Sequence, residues 1–144
     1  MVLMNEILNR ENLTSAYENV VRNKGSSGVD GIGTDELKAW LNNHWMQIKN
    51  DLINGTYQPK AVLGVSIPKR SGGERLLGIP TTGDRMIQQA INQVLNPLFD
   101  PEFSPFSYGF RPGKSAGQAI GQALVYINQG YNSIVDIDLQ RFFD

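Results

Sequence analysis

Two short apolar runs rich in Val, Ile and Leu interrupt a chain that otherwise shows helical spacing, and they limit its fold more than any other feature. The runs are VLGVSIPK (62–69) and ERLLGIP (74–80), and the tetrapeptide RSGG separates them. Short β-forming runs on either side of a glycine-containing turn predict a β-hairpin. Because helical periods precede and follow this hairpin, the sequence predicts an α+β fold.

Two helices are predicted before the hairpin. The first has apolar residues at helical spacing over 13–21 and stops at Gly25. The segment NKGSSGVDGIG (23–33) is too rich in Gly and Ser for the interior of a helix or strand, and predicts a loop. Thr34 is predicted to cap the second helix, which has two acidic residues in its first turn and ends near Gly55.

Two helices are also predicted after the hairpin. Thr81 or Thr82 opens the third helix, which is expected to close at Asn96-Pro97 because proline disrupts a helix interior. The fourth spans roughly 115–129 and is ended by Gly130. Its residues spaced for burial are Ala116, Ala119, Ile120, Ala123, Leu124 and Ile127.

Composition excludes several classes of protein. The sequence is 40% hydrophobic and 19% charged, which is ordinary for a globular domain. It contains no cysteine, which excludes disulfides and thiolate metal sites. No run approaches the roughly eighteen apolar residues of a membrane span, and the opening MVLMNEILNR lacks the pattern of a secretory signal. The expected location is cytoplasmic, without a membrane partner.

The net charge of −1 hides an uneven distribution of charged residues. Residues 1–55 carry five Lys/Arg and seven Asp/Glu, whereas residues 56–132 carry seven Lys/Arg and four Asp/Glu. Asp136, Asp138 and Asp144 then lie close together at the end of the sequence. A basic middle followed by carboxylates suits a site that handles phosphates with metal ions. The alternative is solvated surface charge that serves no partner.

The alternating segment NSIVDIDL (132–139) predicts a β-strand. Alternate side chains of a strand share a face, so Asp136 and Asp138 are expected on one side and the apolar residues on the other. Two neighbouring carboxylates repel each other unless a cation lies nearby, and carboxylate oxygens suit Mg²⁺. The alternative is an exposed edge strand that carries two solvated acids.

The hairpin carries a second candidate site. Lys69 and Arg75 flank its glycine-containing turn. Backbone amides of such a turn can approach a phosphate closely, while Lys offers a point charge and Arg a bidentate fork. A basic hairpin tip that only keeps the protein soluble is the alternative. The Walker pattern GxxxxGK[ST] is absent from the sequence.

A third candidate lies in the Pro- and aromatic-rich loop predicted over 101–113. Its segment SYGFRPGKSA (107–116) places an aromatic pair, an Arg and a Lys around two glycines just before a helix. This composition suits backbone phosphates, with rings available for stacking. The alternative is a Pro/Gly turn whose aromatic side chains fill the core.

Four segments together point to one family. They are GSSGVDGIGTDEL (25–37), IPKRSGGERLLGIPTTGDRMIQQAI (67–91), SYGFRPGKSA (107–116) and VDIDLQRFFD (135–144). In this order they resemble successive blocks of group II intron reverse transcriptases, the intron-encoded maturases. The resemblance covers essentially the whole chain, is most specific in the second and third segments, and is greatest to the compact bacterial class C proteins.

This resemblance implies a right-hand polymerase fold. Residues 1–32 would form an N-terminal extension with a template-covering loop, and 33–131 the fingers subdomain of helices plus a β-hairpin. Residues 132–144 would begin the palm with the first strand of its sheet. The paired aspartates of the YADD block, the thumb and the DNA-binding region are expected beyond residue 144, so the fragment alone is expected to be inactive.

The resemblance also implies roles for single residues in catalysis. Asp138 falls at the first catalytic, metal-binding aspartate, and the Leu139 carbonyl at a backbone ligand of Mg²⁺. Phe143 falls at the aromatic gate that would clash with a ribose 2′-OH. Lys69 and Arg75 fall at the fingers positions that hold the triphosphate of the incoming dNTP.

Further positions are implied to handle the RNA template. Ile79 and Pro80 match the segment that lies against the templating base. Arg85, Arg111 and Lys114 lie in blocks tied to template binding and fingers packing. The implied partners are intron RNA, an RNA template with a DNA primer, and dNTPs, and the family also allows a homodimer.

The implied activity is RNA-directed DNA synthesis by two-metal phosphoryl transfer, together with intron RNA binding as a maturase. One alternative is a non-catalytic RNA-binding splicing factor. Another is the reverse transcriptase of a retron or a diversity-generating element, which would match the first segment poorly. An RNA-dependent RNA polymerase is disfavoured by Phe143, because a bulky ring there should exclude ribonucleotides.

Overall fold

The computed structural model describes residues 2–70 and 72–139. Along the chain, three α-helices precede one β-hairpin and two α-helices follow it. Their bounds are Val2–Ile7 (α1), Arg10–Arg22 (α2), Leu37–Asn54 (α3), Leu63–Pro68 (β1), Glu74–Ile79 (β2), Thr82–Phe99 (α4) and Ala116–Asn128 (α5), with a 3₁₀ turn at Asp100–Glu102. This mixture of helices with a two-stranded sheet confirms the predicted α+β class. The chain divides into two units, Met1–Phe99 and Asp100–Asp144.

The core of the first unit forms where α2 and α4 pack together, with α1 and α3 beside them. Its fully or nearly fully buried side chains are Ile7, Ala16, Val20, Leu37, Met86 and Ala90. Half-buried aromatic and aliphatic residues, including Tyr17, Trp40 and Trp45, surround this cluster. Among the described helices, none combines the length and apolarity needed to cross a membrane.

A polar contact fixes how α2 lies on α4. The Gln93 amide donates to the backbone carbonyl of Asn12 (3.1 Å) and to its side-chain oxygen (2.7 Å). The Asn12 amide in turn donates to the carbonyls of Ile7 (2.9 Å) and Ala90 (3.0 Å). Because hydrogen bonds are directional, this pair sets the register of the two helices more closely than apolar contact alone would.

The predicted hairpin is confirmed. Strands β1 and β2 are antiparallel, with Leu63 opposite Ile79 and Pro68 opposite Glu74. Within the described residues they form a sheet of two strands only. Most side chains of both strands are exposed, and Leu76 retains 78% of its accessible surface. The hairpin is therefore held at its base and by its own backbone ladder, with little burial of its side chains.

The predicted start of the second helix is wrong, while its end is confirmed. Residues 34–36 form a turn, and α3 begins at Leu37. The Glu36 carboxylate accepts a hydrogen bond from the Gly33 N–H (3.0 Å), so the acidic side chain satisfies the turn before the helix. Gly55 ends α3 with φ of 70°, a left-handed conformation that glycine adopts without strain.

Two other helix predictions are corrected. Helix α4 continues through Pro97 to Phe99 instead of closing at Asn96-Pro97. Proline removes one backbone donor and crowds the carbonyl four residues before it, and α4 extends only two residues beyond Pro97. Helix α1 was not predicted; its six residues carry one core side chain, Ile7, and tertiary contact stabilises it.

Helix α5 of the second unit has the predicted position but not the predicted burial. Ser115 caps it: the Ser115 hydroxyl accepts from the Gln118 N–H (3.3 Å), and the Gln118 side chain accepts from the Ser115 N–H (2.8 Å). Gly130 ends the helical segment with φ of 91°. None of its residues is buried, and Ile120 and Leu124 are more than half exposed. Within the described part of this unit, no element covers the apolar side of α5.

The predicted strand over 132–139 is not formed. Residues 131–139 have no regular secondary structure and are exposed. A strand leaves its backbone N–H and C=O groups unpaired unless another strand lies beside it. The described residues contain no strand in the second unit that could pair with this segment.

Candidate functional site

The tip of the hairpin is built from backbone hydrogen bonds and two glycines. The Lys69 N–H donates to the Gly73 carbonyl (2.9 Å), and the Gly72 N–H donates to the Lys69 carbonyl (3.1 Å). Gly72 and Gly73 have φ of 90° and 78°, a region that other residues enter only with strain. The hydrogen bonds between Lys69 and these two glycines thus close a tight turn, which the glycines permit.

Lys69 and Arg75 lie on this exposed tip, as the sequence predicts. Both residues are exposed, and neither forms an ion pair with any described carboxylate. The nearby Glu74 carboxylate accepts instead from the Ser66 hydroxyl (2.5 Å). Two cations therefore stand free beside a glycine turn, an arrangement that suits a polyphosphate.

A buried carboxylate holds the base of the hairpin. Asp84, in the first turn of α4, is only 4% exposed. It accepts hydrogen bonds from the Tyr57 hydroxyl (2.5 Å), the Lys60 backbone N–H (3.2 Å) and the Thr81 hydroxyl (2.6 Å). The Thr81 hydroxyl also accepts from the Asp84 N–H (3.1 Å), which makes Thr81 the cap of α4. Burial, together with the Asp84 carboxylate, raises the pKa of Tyr57 well above its ordinary value.

The loop over 25–33 lies against the segment that follows β2. A side chain at Gly28 would come within 2.7 Å of the Thr81 backbone and 2.9 Å of Pro80. Arg85 donates from its Nη2 to the Ser26 carbonyl, and its buried Nε has no hydrogen-bond partner. The structure thus brings the first and second predicted blocks into contact around Ile79 and Pro80, which are half-buried.

In the second unit, Arg111 organises the loop before α5. Its Nε and Nη2 donate to the Asp100 carboxylate (2.7 and 3.2 Å), and Nη2 also donates to the Asp100 carbonyl (2.8 Å). Its Nη1 donates to the carbonyls of Ser104 (2.8 Å) and Ser107 (3.1 Å). All five guanidinium donors are used within the loop. The hydrogen bond from Arg111 lowers the pKa of Asp100, and Asp100 raises that of Arg111.

Lys114 is held in the same loop. Its ammonium group donates to the Pro105 carbonyl (3.1 Å) and lies 5.3 Å from the centre of the Tyr108 ring. The segment 107–116 is thus a turn tied together by its own cations. Of its two aromatic residues, Phe110 is exposed and Tyr108 is half-buried, so filling a core, the alternative prediction, does not describe Phe110.

The predicted metal ligands Asp138 and Leu139 are exposed and lie in the irregular segment. Asp136 is also exposed. Among the residues that the structure describes, no group of three or more metal-binding side chains comes together. Phe143, the predicted nucleotide gate, lies outside the described residues.

Sequence reasoning missed the Asp84 network. In the sequence, Asp84 is one of four acidic residues in a basic region, and no pattern places Tyr57 or Lys60 beside it. The available signal was the spacing Thr81-x-x-Asp84 before an apolar helical run, which indicates a helix N-terminus. The contact to Tyr57 gave no signal because it joins residues 27 positions apart.

Comparisons with known proteins agree with these motifs. Protein YkfC of Escherichia coli (strain K12) is 36% identical over 91 residues, which are 62% of this chain and 24% of that protein. Group II intron-encoded protein LtrA of Lactococcus lactis subsp. cremoris is 38% identical over 77 residues, which are 53% of this chain and 13% of that protein. The chain thus spans less than a quarter of the length of either relative.

These matches confirm the resemblance to group II intron reverse transcriptases, while the class C subtype stays a prediction. The family described as reverse transcriptase (RNA-dependent DNA polymerase) matches residues 67–144, which is more than half of the chain. This range includes the glycine turn with Lys69 and Arg75, strand β2, Asp84 and the loop held by Arg111, whereas Tyr57, Lys60 and most of β1 precede it. The chain therefore belongs to the reverse transcriptase (RNA-dependent DNA polymerase) family.

Proposed function

We propose that this chain is the fingers subdomain and the start of the palm of a group II intron RNA-directed DNA polymerase. The observation that carries the proposal is the exposed glycine turn with Lys69 and Arg75 free of carboxylate partners. It lies within the stretch that matches the family. Free cations on such a turn can neutralise the phosphates of a dNTP, and that neutralisation matters most as charge develops on the leaving pyrophosphate.

The donors at the end of the described chain fit part of a magnesium site. Mg²⁺ prefers oxygen ligands and binds through one or two carboxylates together with substrate phosphates. The Asp138 carboxylate and the Leu139 carbonyl would supply two such oxygens. A bound divalent ion would stabilise negative charge on the reacting oxygens. The 144 residues contain no YADD block, so the chain by itself is proposed to be inactive.

The template positions form the remaining part of the proposal. Ile79 and Pro80, beside the loop over 25–33, are proposed to lie against the templating base. The cations of Arg85, Arg111 and Lys114 contact main-chain carbonyls. Their proposed contribution to RNA binding is therefore through the loops that they hold. Phe143 is proposed to exclude ribonucleotides.

Primer extension by a protein that contains this chain tests the dNTP site. Replacing Lys69 with Ala should raise the KM for dNTP by about tenfold or more, because a hydrogen bond to a charged group contributes roughly 1.5–3 kcal/mol. Arg70→Ala is the matched control, since it removes the same charge from the same turn and should change KM far less. An equal effect of both substitutions would show that only the general field matters, and the assigned contact would be wrong.

A second pair of variants tests the palm assignment. Asp138→Ala should abolish DNA synthesis, whereas Asp136→Ala, two residues away, should retain it. DNA synthesis near the wild-type rate in Asp138→Ala would refute the assignment. The proposed maturase role is separable, because intron splicing should survive Asp138→Ala. Loss of splicing together with polymerisation would instead indicate that the substitution unfolds the protein.

A further inference from the structure

The hairpin needs an anchor that its own packing does not provide. Both strands are largely exposed, and apolar residues such as Val65 and Leu77 remain more than a third accessible. An isolated two-stranded ribbon is at best marginally stable in water. The direction in which Lys69 and Arg75 point must therefore be set where the two strands join the helical unit.

One carboxylate meets both of these junctions. The chain leading into β1 is held by two hydrogen bonds to Asp84, from the Tyr57 hydroxyl and the Lys60 N–H. The chain leaving β2 is held by a third, from the Thr81 hydroxyl. Asp84 itself belongs to α4, which packs into the core through Met86. The carboxylate thus ties both roots of the hairpin to a helix of the core.

Side contacts reinforce the same junction. The Lys60 ammonium group lies 3.4 Å from the Asp30 carboxylate and 5.7 Å from the centre of the Trp40 ring. Gly83 packs so closely on Trp40 that a Cβ there would come within 2.8 Å of the ring. These contacts hold the surroundings in place, whereas the Asp84 carboxylate accepts donors from the roots of both strands by itself.

We propose that Asp84 is a positioning residue that fixes the direction of the cationic hairpin and thereby the affinity for the incoming dNTP. This inference rests on the proposed function of the hairpin. Asp84 is buried at the base and accepts three protein donors, so it acts through Lys69 and Arg75 without touching substrate. Its removal should weaken dNTP binding more than the chemical step.

The test is Asp84→Asn in a protein that contains this chain and extends primers. Asparagine keeps the shape of the side chain but replaces the carboxylate with a neutral amide, so the hydrogen bonds lose their charge assistance. The Tyr57 hydroxyl must also turn from donor to acceptor, or one of the three donors loses its partner. Amide hydrogen exchange over 63–68 and 74–79 should become about tenfold faster or more, because the hairpin opens more often. The KM for dNTP should rise by a similar factor, with kcat within about threefold of wild type.

A control separates positioning from general loss of stability. Gln93→Ala breaks the polar contact between α2 and α4 but touches neither root of the hairpin. It should lower the melting temperature, while the amide exchange rates over 63–68 and 74–79 and the KM for dNTP should stay unchanged. If Asp84→Asn does not fold, Tyr57→Phe removes a single donor without changing the buried charge, and should give the same two effects at smaller size.

The outcomes are distinct. Unchanged hairpin exchange in Asp84→Asn and Tyr57→Phe would overturn the positioning role whatever the reaction does. Faster exchange with an unchanged KM, in an enzyme whose KM responds to Lys69→Ala, would overturn the link to dNTP binding. If Lys69→Ala also leaves KM unchanged, the proposed function of the hairpin fails, and hydrogen exchange alone still decides whether Asp84 holds it.

Discussion

Replacing Gly28 with Ala tests the contact between the N-terminal loop and the start of α4. Gly28 is buried, and an alanine Cβ would come within 2.7 Å of the Thr81 N and Cα atoms and 2.9 Å of the Pro80 carbonyl carbon. Ordinary contacts of a Cβ are 3.4–4 Å. Because the opposing atoms are backbone, the loop must move by roughly 0.7 Å, since no side chain can rotate away.

The magnitude follows from two opposing terms. Inserting a methyl group into a well-packed contact costs about 1–3 kcal/mol. Replacing glycine stiffens the unfolded chain, which returns about 0.4–1 kcal/mol. The net loss in the free energy of unfolding is therefore about 1–2 kcal/mol. In a unit of this size each kcal/mol lowers the melting temperature by roughly 4–8 °C, so a decrease of roughly 5–15 °C is expected.

Thermal unfolding of the 144-residue chain, followed by circular dichroism, measures this change. Gly121→Ala is the matched control, because it lies in α5 with no other atom within 4 Å of its Cβ position. Alanine is the better helix former by roughly 1 kcal/mol, so the control should melt at the same temperature or higher. A Gly28→Ala chain that melts as high as wild type would refute the proposed close contact.

Three further results are expected. Because the pKa of Tyr57 is raised, the stability that this residue contributes is complete below the ordinary phenol pKa and is lost as pH rises through the raised value. Tyrosinate absorbance should show one tyrosine that ionises after the others, and this last step should be missing in Tyr57→Phe. Because the pKa of Asp100 is lowered, its tie to Arg111 should hold at neutral pH and be lost as acid protonates Asp100 through that lowered pKa; Arg111→Lys should speed proteolysis of 100–107 at pH 7. Ser115→Ala should lower stability by about 0.5–2 kcal/mol in urea unfolding, and Ser115→Asp should restore it.

Local chemistry explains what the sequence predicted correctly. The turn at Gly72 and Gly73, the helix stop at Gly55 and the serine before α5 each depend on a few neighbouring residues, so the local sequence predicts them. The wrong predictions at Thr34 and Pro97 also concern local contacts, but at each position a second local effect opposes the expected one. Before α3, the Glu36 carboxylate accepts from the Gly33 N–H. At the end of α4, the helix continues through Pro97 to Phe99.

Predictions that required a partner surface did not succeed. The spacing in α5 correctly indicated a helix with an apolar side, but burial needs a second element, and the described part of its unit provides none. The alternation over 132–139 likewise indicates the preference of a strand, while a strand exists only with a neighbour that pairs with it. Periodicity reports which side of a segment prefers burial, not whether another segment covers it.

In the candidate site too, local sequence signals predicted residues correctly, whereas contacts between distant residues were not predicted. Lys69 and Arg75 were found because a glycine turn flanked by cations lies within seven consecutive residues. The carboxylate that holds their hairpin was not found, because its contacts to Tyr57 and Lys60 span 27 and 24 positions. Side chains that meet a ligand can be recognised by their chemistry, whereas those that position them depend on the tertiary fold.

The structure also changes how the basic middle of the sequence is interpreted. Four of its seven cations contact the protein itself: Lys60 contacts a carboxylate and Arg85, Arg111 and Lys114 contact main-chain carbonyls. The other three, Lys69, Arg70 and Arg75, are exposed and form no ion pair with any described acid. Binding a phosphate at an engaged cation would first break its protein contacts, whereas the proposed dNTP contacts Lys69 and Arg75 have no such contacts to break. The capacity to bind phosphate is therefore concentrated at one glycine turn, and a count of charges along the sequence would spread it over the whole region.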